Sequence, residues 1–238
     1  MNKLAPALLA VVAGIASAHA DDSGADVLRA ISNPLGEVSL SQTDDLTPVA
    51  LNSVACGDQQ HMPPLYTREN HYWRRFYLAD YPDIGPFVRF LSVDVGVEQT
   101  NGIDVTVNIY ETPDDAVPAE TIDRSQLAFL GSGVASVPAG TELTTVNVPV
   151  SGSLSDVTNA DIVVEVVTPD GSVDSQVFYI GSTPSPETHV SFFSSSFCDV
   201  LEPVPTADIG YPDMHIIMVV NTTSVPDVIF TDGFDTTP

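Results

Sequence analysis

The chain has 238 residues, of which 32 are acidic and 7 basic, and its formal net charge at pH 7 is −25. Such a charge repels phosphate backbones and anionic lipid, so it excludes nucleic-acid binding and attachment to anionic membrane surfaces. No stretch approaches the roughly twenty apolar residues that cross a bilayer, so no transmembrane segment is expected.

The first twenty residues have the pattern of a cleavable secretion signal. Asn2 and Lys3 form a short positive start, and residues 4–16 are almost wholly apolar. Ala18 and Ala20 then supply the small residues that signal peptidase needs. The apolar run, about thirteen residues, is shorter than a membrane anchor. We therefore expect cleavage after residues 1–20 and a mature protein that is secreted, periplasmic or at the cell surface.

Three regions are predicted after the signal. Residues 21–55 are polar and acidic and are expected to form a leader, residues 56–223 a folded domain, and residues 224–238 a C-terminal tail. Cys56 and Cys198 are the two cysteines of the chain. Because exported proteins with an even pair usually bridge them, we expect a disulfide between the beginning and the far end of the domain. Neither cysteine lies in a nucleophile motif.

Short β-branched segments separated by proline and glycine turns fill the predicted domain. Residues 93–98 and 104–110 alternate apolar and polar side chains, and Asn101 and Gly102 between them form the dipeptide that tight hairpins favour, which predicts a hairpin. Further strands are predicted at residues 72–78, 87–91, 127–137, 142–150, 161–168, 176–181, 191–197 and 215–221. The expected fold is therefore all-β: an antiparallel two-sheet sandwich, jelly-roll-like or immunoglobulin-like, of about eight to ten strands.

A set of phrases that follow one another along the chain carries a family resemblance. They are residues 72–76, 93–98, 105–110, 163–165, 168–171, 178–182, Cys198, 202–203, 209–212 and 214–215. Together they resemble a family of uncharacterised β-sandwich modules in bacterial secreted proteins, over about residues 54–221. The resemblance implies a β-sandwich with a cysteine near each end. The family has no established catalytic residues, so the resemblance leaves the function open.

The tail carries a second resemblance. Residues 227–235 are similar to a short motif, Ile-Phe-x-Asp-Gly-Phe followed by an acidic residue, at the C-termini of exported proteins from some gammaproteobacteria. The resemblance implies a role in sorting, processing or surface retention. The alternative is an edge strand or a tail with two exposed phenylalanines.

The segment from Tyr72 to Tyr77 is the most site-like feature of the sequence. On a strand, Trp73, Arg75 and Tyr77 share one face. If that face is exposed, Trp73 and Tyr77 can stack on sugar rings while Arg75 donates hydrogen bonds. The alternative is that the face packs in the core and that the arginines pair with some of the abundant acids.

Metal and catalytic chemistry have less support. The histidines considered as zinc ligands are His61, His71, His189 and His215. They lack the short spacings that are typical of zinc-binding motifs. A structural calcium ion remains an alternative to a metal-free protein, since calcium takes oxygen ligands, and the candidate ligands are Asp80, Asp83, Asp114 and Asp115. No serine has the G-x-S-x-G context of a hydrolase nucleophile.

The predicted function is therefore a non-catalytic, exported binding or adhesion module whose ligand is a glycan or a cell-surface partner. Two alternatives stay open. One is a secreted hydrolase whose carboxylates converge only in the fold, and the other is a structural or surface-sorting protein that acts through its tail.

Overall fold

A computed structural model describes residues 36–58, 60–61, 64–113 and 120–225. The predicted signal peptide, the tail motif at 227–235, and Asp114 with Asp115 lie outside the described residues. Within the described ranges no helix is both long and apolar enough to cross a membrane.

The described part of the chain consists of strands and short 3-10 turns, without an α-helix, which confirms the all-β prediction. The thirteen strands are β1 (Gly36–Leu40), β2 (Asn70–Phe76), β3 (Phe87–Thr100), β4 (Ile103–Pro113), β5 (Ala128–Val137), β6 (Glu142–Leu154), β7 (Ala160–Thr168), β8 (Phe178–Ile180), β9 (Ser182–Thr183), β10 (Phe192–Ser195), β11 (Val200–Pro205), β12 (His215–Ile216) and β13 (Met218–Val225). The 3-10 helices are Leu78–Asp80, Arg124–Gln126, Ser196–Cys198 and Thr206–Ile209.

Eleven of the strands belong to one antiparallel sheet. Its order is β1-β13-β3-β6-β5-β4-β7-β2-β10-β11, and β8 adds to β3 beyond the end of β13. Strands β9 and β12 form a separate two-stranded sheet. We call β1, β13, β3 and β6 the first half of the large sheet, and the strands from β5 to β11 in that order its second half. The sequence predicted fewer strands and two sheets.

The hairpin predicted at Asn101 and Gly102 is wrong, although the alternation that suggested it is real. Strands β6 and β5 lie between β3 and β4 in the sheet. Val93 of β3 and Val107 of β4 instead belong to one buried cluster, which also takes Tyr72 from β2. The sheet therefore curls, and the apolar sides of its two halves share a single core.

Asn101 explains why the chain turns there without forming a paired hairpin. Its side-chain amide donates to the Ser175 carbonyl oxygen at 2.8 Å and accepts from the Val177 backbone N–H at 2.8 Å. Gly102 takes φ = 107° at the turn. The dipeptide thus bends the chain as predicted, but its hydrogen bonds go to the segment before β8 rather than across a hairpin.

The two halves join where β5 meets β6, and glycine makes that contact possible. The two strands pair only at Gly131 with Gly152 and at Ser132 with Ser151. A Cβ on Gly131 would collide with the Ser151 carbonyl oxygen, and a Cβ on Gly133 would collide with the Pro149 carbonyl oxygen. The close approach of the two backbones therefore requires glycine on β5.

A second close backbone contact lies at the other side of β3. Gly96 donates its backbone N–H to Ile217 at 2.9 Å, Ile217 donates to Gly181 at 3.0 Å, and Gly181 donates to Gly96 at 2.8 Å. Gly181 separates β8 from β9, and Ile217 separates β12 from β13. These three bonds satisfy three backbone N–H groups and three carbonyl groups at the point where β8 and β13, which pair with β3, give way to β9 and β12, which pair with each other.

Part of the predicted polar leader lies inside the fold. Gly36–Leu40 pairs along its whole length with residues 220–224 of β13, and Leu40 is buried in the core. The predicted boundary at residue 56 is therefore too late for these residues. Strand β1 was not predicted, because it is short and only its last residue is buried.

The structure places Cys56 and Cys198 at disulfide distance, with their Cα atoms 6.0 Å apart and a sequence separation of 142. Asn70, the first residue of β2, holds the Cys56 backbone by accepting from its N–H at 2.7 Å and donating to its carbonyl oxygen at 3.2 Å. In the chain-entropy account, closing a loop of this length stabilises the domain by about 5 kcal/mol.

We predict that Gly133→Ala lowers the free energy of unfolding by about 3 kcal/mol, since the new methyl group meets a backbone oxygen that cannot turn away. Urea unfolding monitored by circular dichroism measures the change. Gly36→Ala is the matched control, because a Cβ there meets no atom within 4 Å. Equal stability of the two variants would contradict the assigned contact between β5 and β6.

Candidate functional site

Strands β2, β7, β4 and β5 lie side by side in the second half of the sheet and present one side to the core. On their other side, Trp73 stands opposite Glu165, Glu165 opposite Asn108, and Asn108 opposite Ser132. We call this side of β10, β2, β7, β4 and β5 the outer face. It carries the candidate functional site.

Glu165 organises the centre of the outer face. It accepts hydrogen bonds from His71 Nδ1 at 2.7 Å, from Asn108 Nδ2 at 2.8 Å and from the Tyr110 hydroxyl at 2.8 Å. His71 also contacts Glu69 through Nε2 at 3.1 Å. A buried carboxylate requires such partners. The three donors come from the two strands flanking β7, so Glu165 fixes their side chains across the sheet.

The hydrogen bonds decide the charge state of this cluster. Burial disfavours the ionised form of Glu165, but the bonds from His71, Asn108 and Tyr110 outweigh it and lower the pKa of Glu165. Burial likewise opposes protonation of His71, yet the bonds to Glu165 and Glu69 raise the pKa of His71. Burial and the bond to Glu165 raise the pKa of the Tyr110 hydroxyl. Near neutral pH the cluster therefore holds an ionised carboxylate and a protonated tyrosine.

Trp73 does not present the exposed ring that the sequence analysis considered. Its relative exposure is 1%. Ile122 and Leu127, from the segment that precedes β5, pack over it in a small cluster with Phe192 of β10. The indole N–H donates to Ser194 Oγ at 3.0 Å. Trp73 thus lies on the predicted face, but a loop covers that part of the face.

Arg75 follows the alternative expectation of pairing with an acid. It is buried and forms an ion pair with Asp161 of β7, with Nη2 and Oδ2 2.7 Å apart. Its guanidinium carbon lies 4.7 Å from the centre of the Tyr77 ring. Tyr77 lies just past β2, half-buried. The three residues therefore form no open groove, which corrects the proposed sugar-stacking site at Trp73, Arg75 and Tyr77.

Tyr77 belongs to a second polar cluster. Its ring lies 4.2 Å from that of His189, which contacts Glu120 through Nδ1 at 3.0 Å and Asp80 through Nε2 at 2.8 Å. Burial opposes protonation of His189, but these two bonds raise its pKa. Asp80, considered above as a calcium ligand, is thus bonded to a histidine. Among the described residues no group of three or more His, Cys, Asp or Glu side chains is arranged to hold a metal ion.

The other part of the outer face, on β4 and β5, is open. Phe129 has a relative exposure of 62% and Val134 of 60%. The Phe129 ring packs edge-on against Tyr110, with centroids 5.8 Å apart and an interplanar angle of 70°. Asn108 is half-buried and Ser132 exposed. Hydrogen-bonding groups therefore stand beside an exposed aromatic ring on a rigid sheet.

Trp73 and Arg75 lie on the outer face at its covered part, and Phe129 lies at its open part. Glu165 was a missed signal, because it is a lone acid between valines in a strand predicted to be apolar on both faces. A carboxylate in such a strand needs donors from neighbouring strands. The donors Asn108 and Tyr110 lie on β4, and only the strand order makes β4 the neighbour of β7.

The chain matches no protein-family model, no curated protein and no solved structure.

We predict that the free energy of unfolding falls as the pH rises from about 6.5, the ordinary histidine pKa, through the raised values of His71 and His189. The sign follows because a group whose pKa is higher in the folded than in the unfolded state stabilises the fold. This stabilisation is complete only at a pH where the group is protonated in both the folded and the unfolded state. Urea titrations at a series of pH values measure the slope. Replacing both histidines with glutamine keeps hydrogen-bonding capacity and should flatten it; an unchanged slope would contradict the assignment.

Proposed function

We propose that the chain is an exported, non-catalytic binding module that recognises an extracellular glycan through the open part of its outer face. In this proposal the curled sheet serves as a sandwich-like scaffold, with one apolar side closed inside and one polar side available for a ligand. Export rests on the secretion signal of the first twenty residues, and the disulfide distance between Cys56 and Cys198 is compatible with an oxidising compartment.

The observation that carries the proposal is the pairing of an exposed aromatic ring with ordered polar groups. Phe129 stands edge-on to Tyr110, and β4 places Asn108 on the same side, two residues before Tyr110. Sugar rings have apolar C–H faces and equatorial hydroxyl groups, so they combine well with one aromatic surface and neighbouring hydrogen-bonding atoms. Because strands position these side chains, little order has to be gained on binding.

The chemistry of the cluster favours binding over hydrolysis. A glycosidase needs one carboxyl group that keeps its proton near neutral pH to act as the acid. Glu165 is held ionised, since its three hydrogen bonds lower its pKa. Glu98 has a raised pKa from burial, but its carboxylate accepts the backbone N–H groups of Leu51 at 2.9 Å and Asn52 at 3.3 Å. Glu98 therefore fixes a loop.

We predict that Phe129→Ala weakens binding to the recognised polysaccharide about tenfold, equal to about 1.4 kcal/mol, with the free energy of unfolding nearly unchanged because the ring is mostly exposed. Retention on a panel of immobilised polysaccharides, followed by calorimetry on the best ligand, measures this.

Phe87→Ala is the matched control, since Phe87 is an exposed phenylalanine on β3 in the first half of the sheet. It should bind as the parent protein does. Retention on none of the polysaccharides, or equal loss in the two variants, would refute glycan recognition by the outer face.

A further inference from the structure

The polar cluster on the outer face offers mainly acceptors to a ligand, because the donors of His71 and Tyr110 are already engaged. Tyr110 has one hydroxyl proton and donates it to Glu165, so toward any third group its oxygen accepts. Asn108 donates one amide proton to Glu165 and keeps its second amide proton as a donor and its carbonyl oxygen as an acceptor. Both ring nitrogens of His71 contact carboxylates. Toward Tyr110, Glu69 and the Asn108 carbonyl oxygen, a ligand therefore has to bring the protons for its hydrogen bonds.

Negative charge dominates the same place. Glu165 and Glu69 both contact His71, so these three groups carry a net negative charge even when the imidazole is protonated. The side chain of Glu165 is 4% exposed and that of Glu69 is 55% exposed, which leaves the second carboxylate open to a ligand. The chain as a whole adds a net charge of −25. Potentials of this sign attract cations and repel acidic polymers.

Two arginines lie on the outer face. Arg75 is neutralised by Asp161 in a buried ion pair. Arg124 lies over Trp73, 5.7 Å from the ring centroid, and its Nη1 donates to the Leu201 carbonyl oxygen at 3.4 Å. The positive charge of Arg124 also acts on the Tyr110 hydroxyl, so Glu69 rather than Tyr110 is the group at which the negative charge meets a ligand.

We infer that the outer face selects a glycan with free, protonated amino groups, a polymer of unacetylated amino sugar, over neutral and acidic polysaccharides. The inference rests on the proposed function, since it names the class of glycan for the same face. An alkylammonium group supplies three donors and a positive charge in one group. It complements both properties of the cluster, acceptor atoms and net negative charge, whereas a neutral hydroxyl complements only the first and a carboxylate or sulfate neither.

The direct test compares soluble oligomers of one amino sugar in the free-amine and the fully N-acetylated form, together with a neutral glucose oligomer and a uronic-acid oligomer. The expected result is binding of the free-amine oligomer at least about tenfold tighter than of the others at low salt. The preference should shrink as sodium chloride shortens the screening length from about 10 Å at 0.1 M to about 3 Å at 1 M.

Glu69→Gln tests the named carboxylate. It removes one exposed charge and keeps an oxygen to accept from His71, and it should weaken binding of the free-amine oligomer about threefold to fivefold while binding of the acetylated form stays constant. Glu142→Gln is the matched control, with the same change of net charge at an exposed position on β6 in the first half of the sheet. It should leave both affinities unchanged.

The outcomes separate this inference from the proposed function. Salt-independent binding that is equal for the free-amine and acetylated oligomers overturns the charge preference and leaves glycan recognition standing. Binding to none of the oligomers or immobilised polysaccharides overturns both. Tighter binding of oligolysine than of the free-amine oligomer, with Phe129→Ala lowering neither, overturns the inference in favour of a cationic protein partner.

Discussion

The architecture depends on the close backbone contact between β5 and β6, which we call the corner of the sheet. Only a strand without side-chain carbon at Gly131 and Gly133 can lie against the carbonyl groups of β6. This contact lets one continuous sheet curl until the valines of β3 and β4 share a core. The same curvature turns one side of β2, β7 and β4 inward and leaves the other side outward. The outer face is a consequence of that corner.

Glu165 links the fold to the candidate site. Leaving an ionised carboxylate in a central strand without partners would cost several kcal/mol. The three donors that prevent this come from β2 and β4, so the charge also fixes the strands on which the ligand-facing groups lie. The result is a set of side chains that are ordered before any ligand arrives. In the proposed function, stability and recognition therefore depend on the same hydrogen bonds, which leave the Tyr110 oxygen as an acceptor toward a ligand.

Local pattern predicted the strands well and their partners poorly. Alternating valines identified β3 and β4 correctly, because period two reports which side of a strand is buried, and a run that is apolar on both faces identified β7. Two strands that pair in a sheet and two strands that face each other across the core show the same period. The pattern around Asn101 and Gly102 therefore could not distinguish a hairpin from a connection between strands that face each other across the core. The aromatic segment at Trp73 failed for a related reason: the sequence shows which residues share a face, but the loop that covers it is set by tertiary packing.

The placement of the arginines explains why negative charge dominates the surface. Of the described arginines, Arg74 and Arg75 are buried and paired with Glu187 and Asp161, so they stabilise the interior and contribute little positive potential outside. The other described arginines are Arg68, Arg89 and Arg124, so the exposed carboxylates outnumber the arginines that face solvent. A negatively charged ligand would be repelled by these carboxylates. A neutral ligand would have to compete with water for the acceptors of the outer face without any attraction between charges. The inferred cationic, donor-rich glycan would avoid both penalties, so the composition of the whole chain and the geometry around Glu165 support the same proposal.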